Sequence, residues 1–419
     1  MYDVAIVGAG VAGNYLALRL AGSGHRVAVI EEHQMVGEPM QCTGIVGVEC
    51  CERFPLFDGL ILRTVNSAKL VSPSGEELVL ERQDPQAHII DRAAFDRSLA
   101  AEAARHGAEY YLNSTVTDVV THDDGVRVEA SGCGTVQART AVVATGYSPR
   151  LPRKLGLGGA SDLIMGAQTS VNLTEESGIE VYFDQSLASG FFAWLVPTSG
   201  GRALVGLFSR RSPAKRLLRL VDVLHRQGKI TSSGATPTLA AIPLKTLKKT
   251  YTRRVLVVGD AAGQVKPTTG GGIYYGLLCA DLAADALESA LSNGDVSETR
   301  LATYQDAWHK MLRRELLIDR YARKLYQRLS NRQIDRVFRA VRSNGVHETL
   351  LQSPELSFDW HGNVILEALK YLGPWRRLVA SGAPAKTPAG QPSVTHNTRG
   401  IRRTSRTLQE MSSGTKEET

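Results

Sequence analysis

Tyr2-Asp3-Val4-Ala5-Ile6-Val7-Gly8-Ala9-Gly10-Val11-Ala12-Gly13 decides the fold of this chain, because a short apolar run leads into a glycine turn and then a helix-like stretch to about Gly22. Arg26-Val27-Ala28-Val29-Ile30-Glu31 follows as a second β-branched run. Strand, glycine turn, helix and strand in that order make a βαβ unit. In such a unit Gly8 allows the tight turn, Gly10 lets backbone approach a pyrophosphate, and Gly13 permits close packing of helix on strand. The phosphates would lie at the helix N-terminus, where unpaired amides favour negative charge. Glu31, at the end of the second strand, would accept hydrogen bonds from a ribose hydroxyl pair. A ligand-free βα turn is the plainer reading, but the complete spacing favours a dinucleotide.

Beyond this unit the periodicity changes. Between about 62 and 90 apolar and polar residues alternate, with Ser74-Gly75 in the middle of the stretch 67–81, and predict an antiparallel hairpin. Residues 91–106 return to helical spacing, and Ala141-Val142-Val143-Ala144-Thr145-Gly146 reads as a buried strand ending in a turn. Alternation resumes from about 160 to 210, then strand, glycine turn and helix recur over 255–290. The expected fold is therefore α/β: a Rossmann-like domain assembled from 1–60, 91–155 and 250–295, with a mainly antiparallel substrate domain (61–90 and 156–249) inserted in it. A C-terminal helical region follows over 296–379. From 380 to 419 the composition turns to Ser, Thr, Gly, Pro and charge, which predicts a disordered tail.

The second glycine-rich element runs Val255-Leu256-Val257-Val258-Gly259-Asp260-Ala261-Ala262-Gly263 and continues to Pro267 and Gly270-Gly271-Gly272-Ile273. Asp260 at that strand end would bind a ribityl hydroxyl. Backbone amides of the triple glycine, Gly271 and Gly272 among them, would face the pyrimidine edge of a flavin at the next helix N-terminus. That edge becomes anionic on reduction, so an oriented dipole there stabilises the reduced cofactor. A capping Asp in an ordinary loop is the alternative.

Composition sets outer limits. Of 419 residues 43% are hydrophobic and 22% charged, and no apolar run is long enough to span a bilayer. Tyr2 and Asp3 lead straight into a strand without a secretory leader pattern, so the expected location is cytoplasmic. The 5 cysteines include no CxxC pair, so neither a metal site nor an iron–sulfur cluster is expected. A net charge of +7 suits anionic partners, but the basic residues of the tail are too sparse for nucleic acid.

With these motifs in place the chain resembles the flavoprotein hydroxylase superfamily and, within it, the geranylgeranyl reductase family, over about residues 2–290. The carriers are Gly8 to Gly13 with Glu31, Gln41-Cys42-Thr43-Gly44-Ile45, Asp91-Arg92 with Phe95-Asp96, Ala144-Thr145-Gly146, Trp194 with Pro197, and Gly259-Asp260 with the triple glycine. The resemblance implies FAD as cofactor, contacted by Ala12, Gly13, Glu31, Cys42, Gly44, Arg92, Val116, Asp260, Gly272 and Ile273. It also implies that Trp194 and its neighbours face substrate, and that the reaction reduces isolated prenyl double bonds. Thr145 departs from the superfamily's common Asp, so reduced ferredoxin or another low-potential donor stands beside NADPH as electron source.

Such an alkene has no carbonyl to polarise it, so hydride from reduced flavin must be matched by a proton at the other carbon. Phe191, Phe192, Trp194 and Pro197 would wall an apolar substrate slot, unless they only pack the sheet. Cys42 is the candidate to orient substrate or relay a proton, against the reading of a small buried hydrophobe. Arg92 would hold the cofactor, with an ion pair to Asp96 as the competing account. Basic residues with apolar residues at helical spacing over 310–342 suggest peripheral contact with an anionic membrane, or else a solvated helix face. An aromatic monooxygenase, an electron-transfer flavoprotein acting on quinone, and a nucleotide-binding protein without redox chemistry remain as alternatives.

Overall fold

The computed structural model describes residues 1–371 apart from 41, 55–58, 160–161, 232–235, 344, 346–347, 349–350 and 354–356. The expected tail from 380, and Gln41 of the Cys42 segment, lie outside the described residues.

The first sheet has eight strands: β1 (Tyr2–Val7), β2 (Val27–Ile30), β8 (Glu109–Tyr111), β9 (Val116–Thr121), β10 (Val126–Ala130), β11 (Gly134–Val143), β17 (Tyr251–Thr252) and β18 (Val255–Val257). Its centre runs β18-β11-β1-β2-β8, all parallel. Parallel strands need covering on both faces, and β2, β18 and β1 from Val4 onward accordingly read as unbroken apolar runs. Helices α1 (Val11–Gly22), α3 (Arg92–Arg105), α6 (Ile273–Ser292) and α7 (Glu298–Tyr326) share one core with one of those faces. Asn14, fully buried on α1, donates to Ala9 O at 2.7 Å and Asp96 O at 3.1 Å, which joins the glycine turn to α3.

The second sheet has seven strands, ordered β16-β12-β15-β14-β13-β5-β6. They are β5 (Ser67–Val71), β6 (Glu77–Glu81), β12 (Leu163–Asn172), β13 (Ile179–Tyr182), β14 (Ala193–Pro197), β15 (Arg202–Ser209) and β16 (Thr238–Pro243). Only β13 and β5 pair in parallel. Helix α5 (Pro213–Arg226) covers one face through Leu217, Leu220, Val221 and Leu224. Within 61–90, the hairpin β5–β6 joins this sheet, whereas β4 (Ile61–Val65) and β7 (Ala87–Ile90) form a three-stranded sheet with β3 (Ile45–Gly47). The small sheet lies against the face of the seven-stranded one opposite α5, sharing a core of Ile45, Val65 and Ile89 with Trp194 and Phe208. An α/β architecture with a discontinuous Rossmann-like part, an inserted antiparallel sheet and C-terminal helices is thus the one observed.

The remaining helices are α2 (Val48–Arg53), α4 (Arg150–Lys154), α8 (Asn331–Ser343) and α9 (Gly362–Tyr371). The basic stretch 310–342 is two helices, the end of α7 and all of α8. Arg323 does not belong to its solvated face: it is 3% exposed and donates to Asp162 Oδ2 at 2.7 Å. No helix among the described residues is long and apolar enough to cross a membrane.

Gly13 is the tightest point of the βα turn, since a Cβ there would run into Gly8 O, a backbone atom that cannot yield. Gly13→Ala should therefore destabilise the protein by about 1–3 kcal/mol, read as a lowered midpoint in denaturant unfolding of the cofactor-free protein.

Candidate functional site

Gly8 has φ +106, and a Cβ would meet Ala144 O at 2.5 Å, so the turn presses against the end of β11. Gly10, by contrast, faces open space and caps α1 without any side-chain hydrogen bond. The first amides of α1, including those of Ala12 and Gly13, are left unpaired within the helix and open toward that space. No acidic residue occupies the first turn. A shaped, uncapped helix start of this kind fits a phosphate group. Glu31 is 8% exposed, and its carboxylate accepts from Ala9 N at 2.7 Å and His33 N at 3.0 Å, which ties the end of β2 to the turn. The His33 ring nitrogen Nδ1 also lies 2.5 Å from Oε1, so of about four acceptor positions roughly one is left for a ribose hydroxyl. Val116 is buried on β9 just after Ser114, whose amide donates to Glu31 O at 2.8 Å.

The second glycine element meets the first. A Cβ at Gly259 would lie 3.3 Å from Ala12 Cβ, and one at Gly276 would lie 3.7 Å from the same atom. Gln264 holds the 3-10 turn Gly259–Ala262, accepting from Gly259 N at 2.7 Å and donating to Tyr304 at 2.8 Å. Gly272 caps α6, again with no side-chain bond, and a Cβ there would be 2.6 Å from Asp260 Oδ1. Ile273 opens the helix and Gly271 precedes the cap, so Asp260, Gly271, Gly272 and Ile273 form one corner of the site.

Arg92 opens α3 and forms an ion pair with Asp96, yet neither is a surface group: their side chains are 17% and 6% exposed. Burial works against the Arg92 charge, but Asp96, Cys42 and Asp260 facing it hold its pKa above the ordinary value. Arg92 Nε and Asp96 Oδ1 are buried without a hydrogen-bond partner. The ion pair with Asp96 is thus present, though buried rather than on the surface, and the guanidinium also feels the charge of Asp260. Gly44 N lies 3.4 Å from Cys42 Sγ, and a Cβ on Gly44 would run into Ile90 O. Gln168 on β12 grips this segment, accepting from Thr43 Oγ1 at 3.1 Å and donating to Cys42 O at 3.4 Å.

Of the expected substrate wall, β14 places Trp194 and Val196 toward the small sheet, whereas Ala193 and Leu195 join the core under α5. Alternation puts Pro197 on the face of Leu195, so it does not share a slot with Trp194. Phe191 and Phe192 do stand with Trp194. A Cβ on Gly206 would strike the Trp194 indole, and Trp194 Nε1 is buried without a partner. Gly270 adopts φ +71, and a Cβ there would be 2.8 Å from Phe208 Cζ, which brings the triple glycine onto the aromatic face.

Ring contacts continue outward from that point. Trp194 and Phe208 centroids are 4.9 Å apart, Phe192 and Trp194 5.9 Å, and Phe183 and Phe192 6.2 Å. Phe183 in turn meets Tyr326 and Phe338, each at 5.8 Å. Those last rings line a cavity of about 310 Å³ between hairpin β5–β6 and α8, walled entirely by apolar and aromatic side chains such as Leu70, Leu78, Ile334 and Val337. Tyr326, Phe338 and Gln168 went unremarked in the sequence because they sit in separate elements with no motif of their own, and Phe183 lay in a stretch read only as alternation. Phe208 lay in a strand read only as alternation.

Burial pushes the Asp260 carboxyl up to about 6, with Arg92 pulling in the opposite direction. A carboxyl raised above its unfolded value contributes stability below about 3.8 that is lost as pH rises through about 6. Asp260→Asn should therefore flatten the decline in stability of the cofactor-free protein between pH 4 and 6, a gain of up to about 3 kcal/mol at neutral pH.

The lycopene cyclase protein family model matches residues 3–352. Digeranylgeranylglycerophospholipid reductase 2 of Methanothermobacter thermautotrophicus is 30% identical over 81% of this chain and 91% of its own length. Digeranylgeranylglycerophospholipid reductase of Methanocaldococcus jannaschii is 29% identical, over 81% of this chain and 90% of that protein. A geranylgeranyl bacteriochlorophyll reductase-like protein from Thermoplasma acidophilum shares the fold, with TM-score 0.79 and 21% identity over 91% of this chain and 98% of that one. Matched along most of its length by the model and by these relatives, this chain belongs to the lycopene cyclase protein family and to the family of digeranylgeranylglycerophospholipid reductases.

Proposed function

We propose that this chain is an FAD-dependent oxidoreductase that reduces isolated prenyl double bonds of a geranylgeranyl-type lipid. The observation that carries the reading is the continuous run of rings from Phe208, beside Gly270, to the apolar cavity under α8. The cavity, walled only by apolar and aromatic side chains, would take the tail of a linear isoprenoid, and the packed rings between it and Gly270 would form the wall along which that chain lies. The names of the related reductases point the same way.

In this reading Gly8, Gly10, Ala12 and Gly13 hold the pyrophosphate of FAD, and Glu31 its adenosine ribose, with Val116 alongside. Arg92 and Asp260 hold the ribityl chain; Gly271, Gly272 and Ile273 offer amides to the flavin, with Cys42 and Gly44 on its other border. Bound FAD supplies the hydride. The chain's own part is to lay the alkene along Trp194 and Phe192, exclude water, and deliver a proton to the carbon that does not receive hydride. Cys42, held in place by Gln168, is the donor we assign, its thiol being a weak acid at the border of the apolar slot. The electron source is NADPH, reduced ferredoxin or another low-potential donor.

Substrate of this kind must be collected from a membrane. Helix α8 turns Ile334, Val337, Phe338 and Val341 to the cavity and leaves Arg332, Arg336, Arg339 and Arg342 exposed. Arg339 and Arg342 share one carboxylate, Glu76, at 3.6 Å each, so the face keeps a surplus of positive charge suited to anionic lipid.

With the flavin reduced in the absence of oxygen, a geranylgeranyl lipid should reoxidise it and gain two hydrogens per bond by mass spectrometry. Reoxidation only by oxygen together with a phenolic substrate would instead identify a monooxygenase, and reoxidation only by quinone an electron carrier. Trp194→Ala should keep FAD and lose at least tenfold in the rate of that reoxidation. Sedimentation with vesicles should show binding to anionic but not zwitterionic lipid, weakening as salt rises. Replacing Arg332, Arg336 and Arg339 by Glu should abolish that binding.

A further inference from the structure

We propose that the buried ion pair of Lys266 and Asp359 sets the reduction potential of the bound flavin, Lys266 raising it and Asp359 lowering it. The proposal rests on the FAD reading above. Lys266 Nζ and Asp359 Oδ1 are 2.7 Å apart, with side chains only 4% and 3% exposed. Removing two charges from water is costly, and such a pair adds little net stability over apolar packing, so stability alone is a poor reason for it.

Its position supplies a better one. Lys266 stands at the foot of the loop that ends in the triple glycine: its amide donates to Gly271 O at 3.1 Å, and its carbonyl accepts from Gly270 N at 2.9 Å. Its side chain runs directly behind that loop, since a Cβ on Gly271 would lie 3.6 Å from Lys266 Cδ and 3.9 Å from Cε. The ammonium is then fixed by Phe358 O at 3.0 Å and by the rings of Tyr275 and Phe358, at 5.6 and 5.2 Å from their centroids. A fixed charge in a water-poor interior acts over several ångströms, and the pyrimidine edge gains negative charge on reduction.

Asp359 is the counterweight. It belongs to a short strap, residues 357–362, that also binds Glu49 through Trp360 at 2.9 Å and Glu315 through the Gly362 amide at 2.6 Å. Asp359 Oδ2 is buried with no hydrogen-bond partner, pressed against Gly47 at the end of β3. The carboxylate is thus less satisfied than the ammonium it faces.

Reductive titration of the FAD-bound enzyme against a reference dye at one pH tests this. At fixed ambient potential Lys266→Met should lower the reduced-to-oxidised ratio about tenfold, about 30 mV for a two-electron couple, and Asp359→Asn should raise it by a similar factor. The double variant should return near the parent value. Loosened packing would weaken FAD retention in every variant without producing opposite signs. Shifts in the same direction, or none in Asp359→Asn, overturn the proposal while the FAD reading stands. If Lys266→Met does not fold, the rise in Asp359→Asn and its reversal in the double variant decide the matter. Purified parent protein that holds no FAD overturns both.

Discussion

The contact between Gly259 and Ala12 is the constraint on which the rest of this molecule depends. It forces the start of α1 and the turn after β18 into one place, although 247 residues of chain separate them in sequence. Neither turn accepts a larger residue at its tight points: Gly8 lies on Ala144, Gly13 on Gly8, and Gly272 on Asp260. What small residues secure here is the approach of helix amides to a common space. The inserted sheet then reaches that space from the opposite side, through Phe208 against Gly270.

Around this junction the protein gathers polar groups that its interior does not satisfy. Arg92 Nε, Asp96 Oδ1, Trp194 Nε1 and Asp359 Oδ2 are all buried without partners. Burial also raises the Asp260 carboxyl and, farther along α7, pushes Asp319 up to about 7. Unsatisfied polar atoms lower stability, and proteins keep them where chemistry or binding uses them. Ser177, Arg254, Asp319, Arg323 and Tyr326 carry such atoms elsewhere, so what sets the junction apart is that its unpartnered Arg92 and Asp96 lie beside Asp260 and the uncapped helix starts.

Helix α8 divides two tasks between its faces. One side roofs the cavity with Ile334 and Phe338, while the other carries arginines into solvent. A basic surface and an apolar cavity wall are thus built from one short element, and the proposed capture of an amphiphile rests on that division. Arg323, in the last turn of α7, serves a different purpose: it is buried over Phe191, with its guanidinium carbon 5.5 Å from the ring centroid, and tied to Asp162.

The βαβ unit, the hairpin around Ser74-Gly75 and the strand ending at Gly259-Asp260 were legible in the sequence because each is a local pattern. A period of two or 3.6 and a glycine at a turn carry their meaning within a dozen residues. From the same patterns came the candidate corners at Gly10, Glu31 and Gly272. Pro197, three positions from Trp194 on one strand, faces away from it by that same period of two. Tertiary structure alone decided that β4 and β7 leave the hairpin to pair with β3, and that Phe183 bridges Phe192 to Phe338. It alone brought Lys266 to Asp359, 93 positions away. The reason is physical: side-chain period tells which residues share a face, but what that face meets depends on how separate elements pack, and no spacing along the chain encodes it.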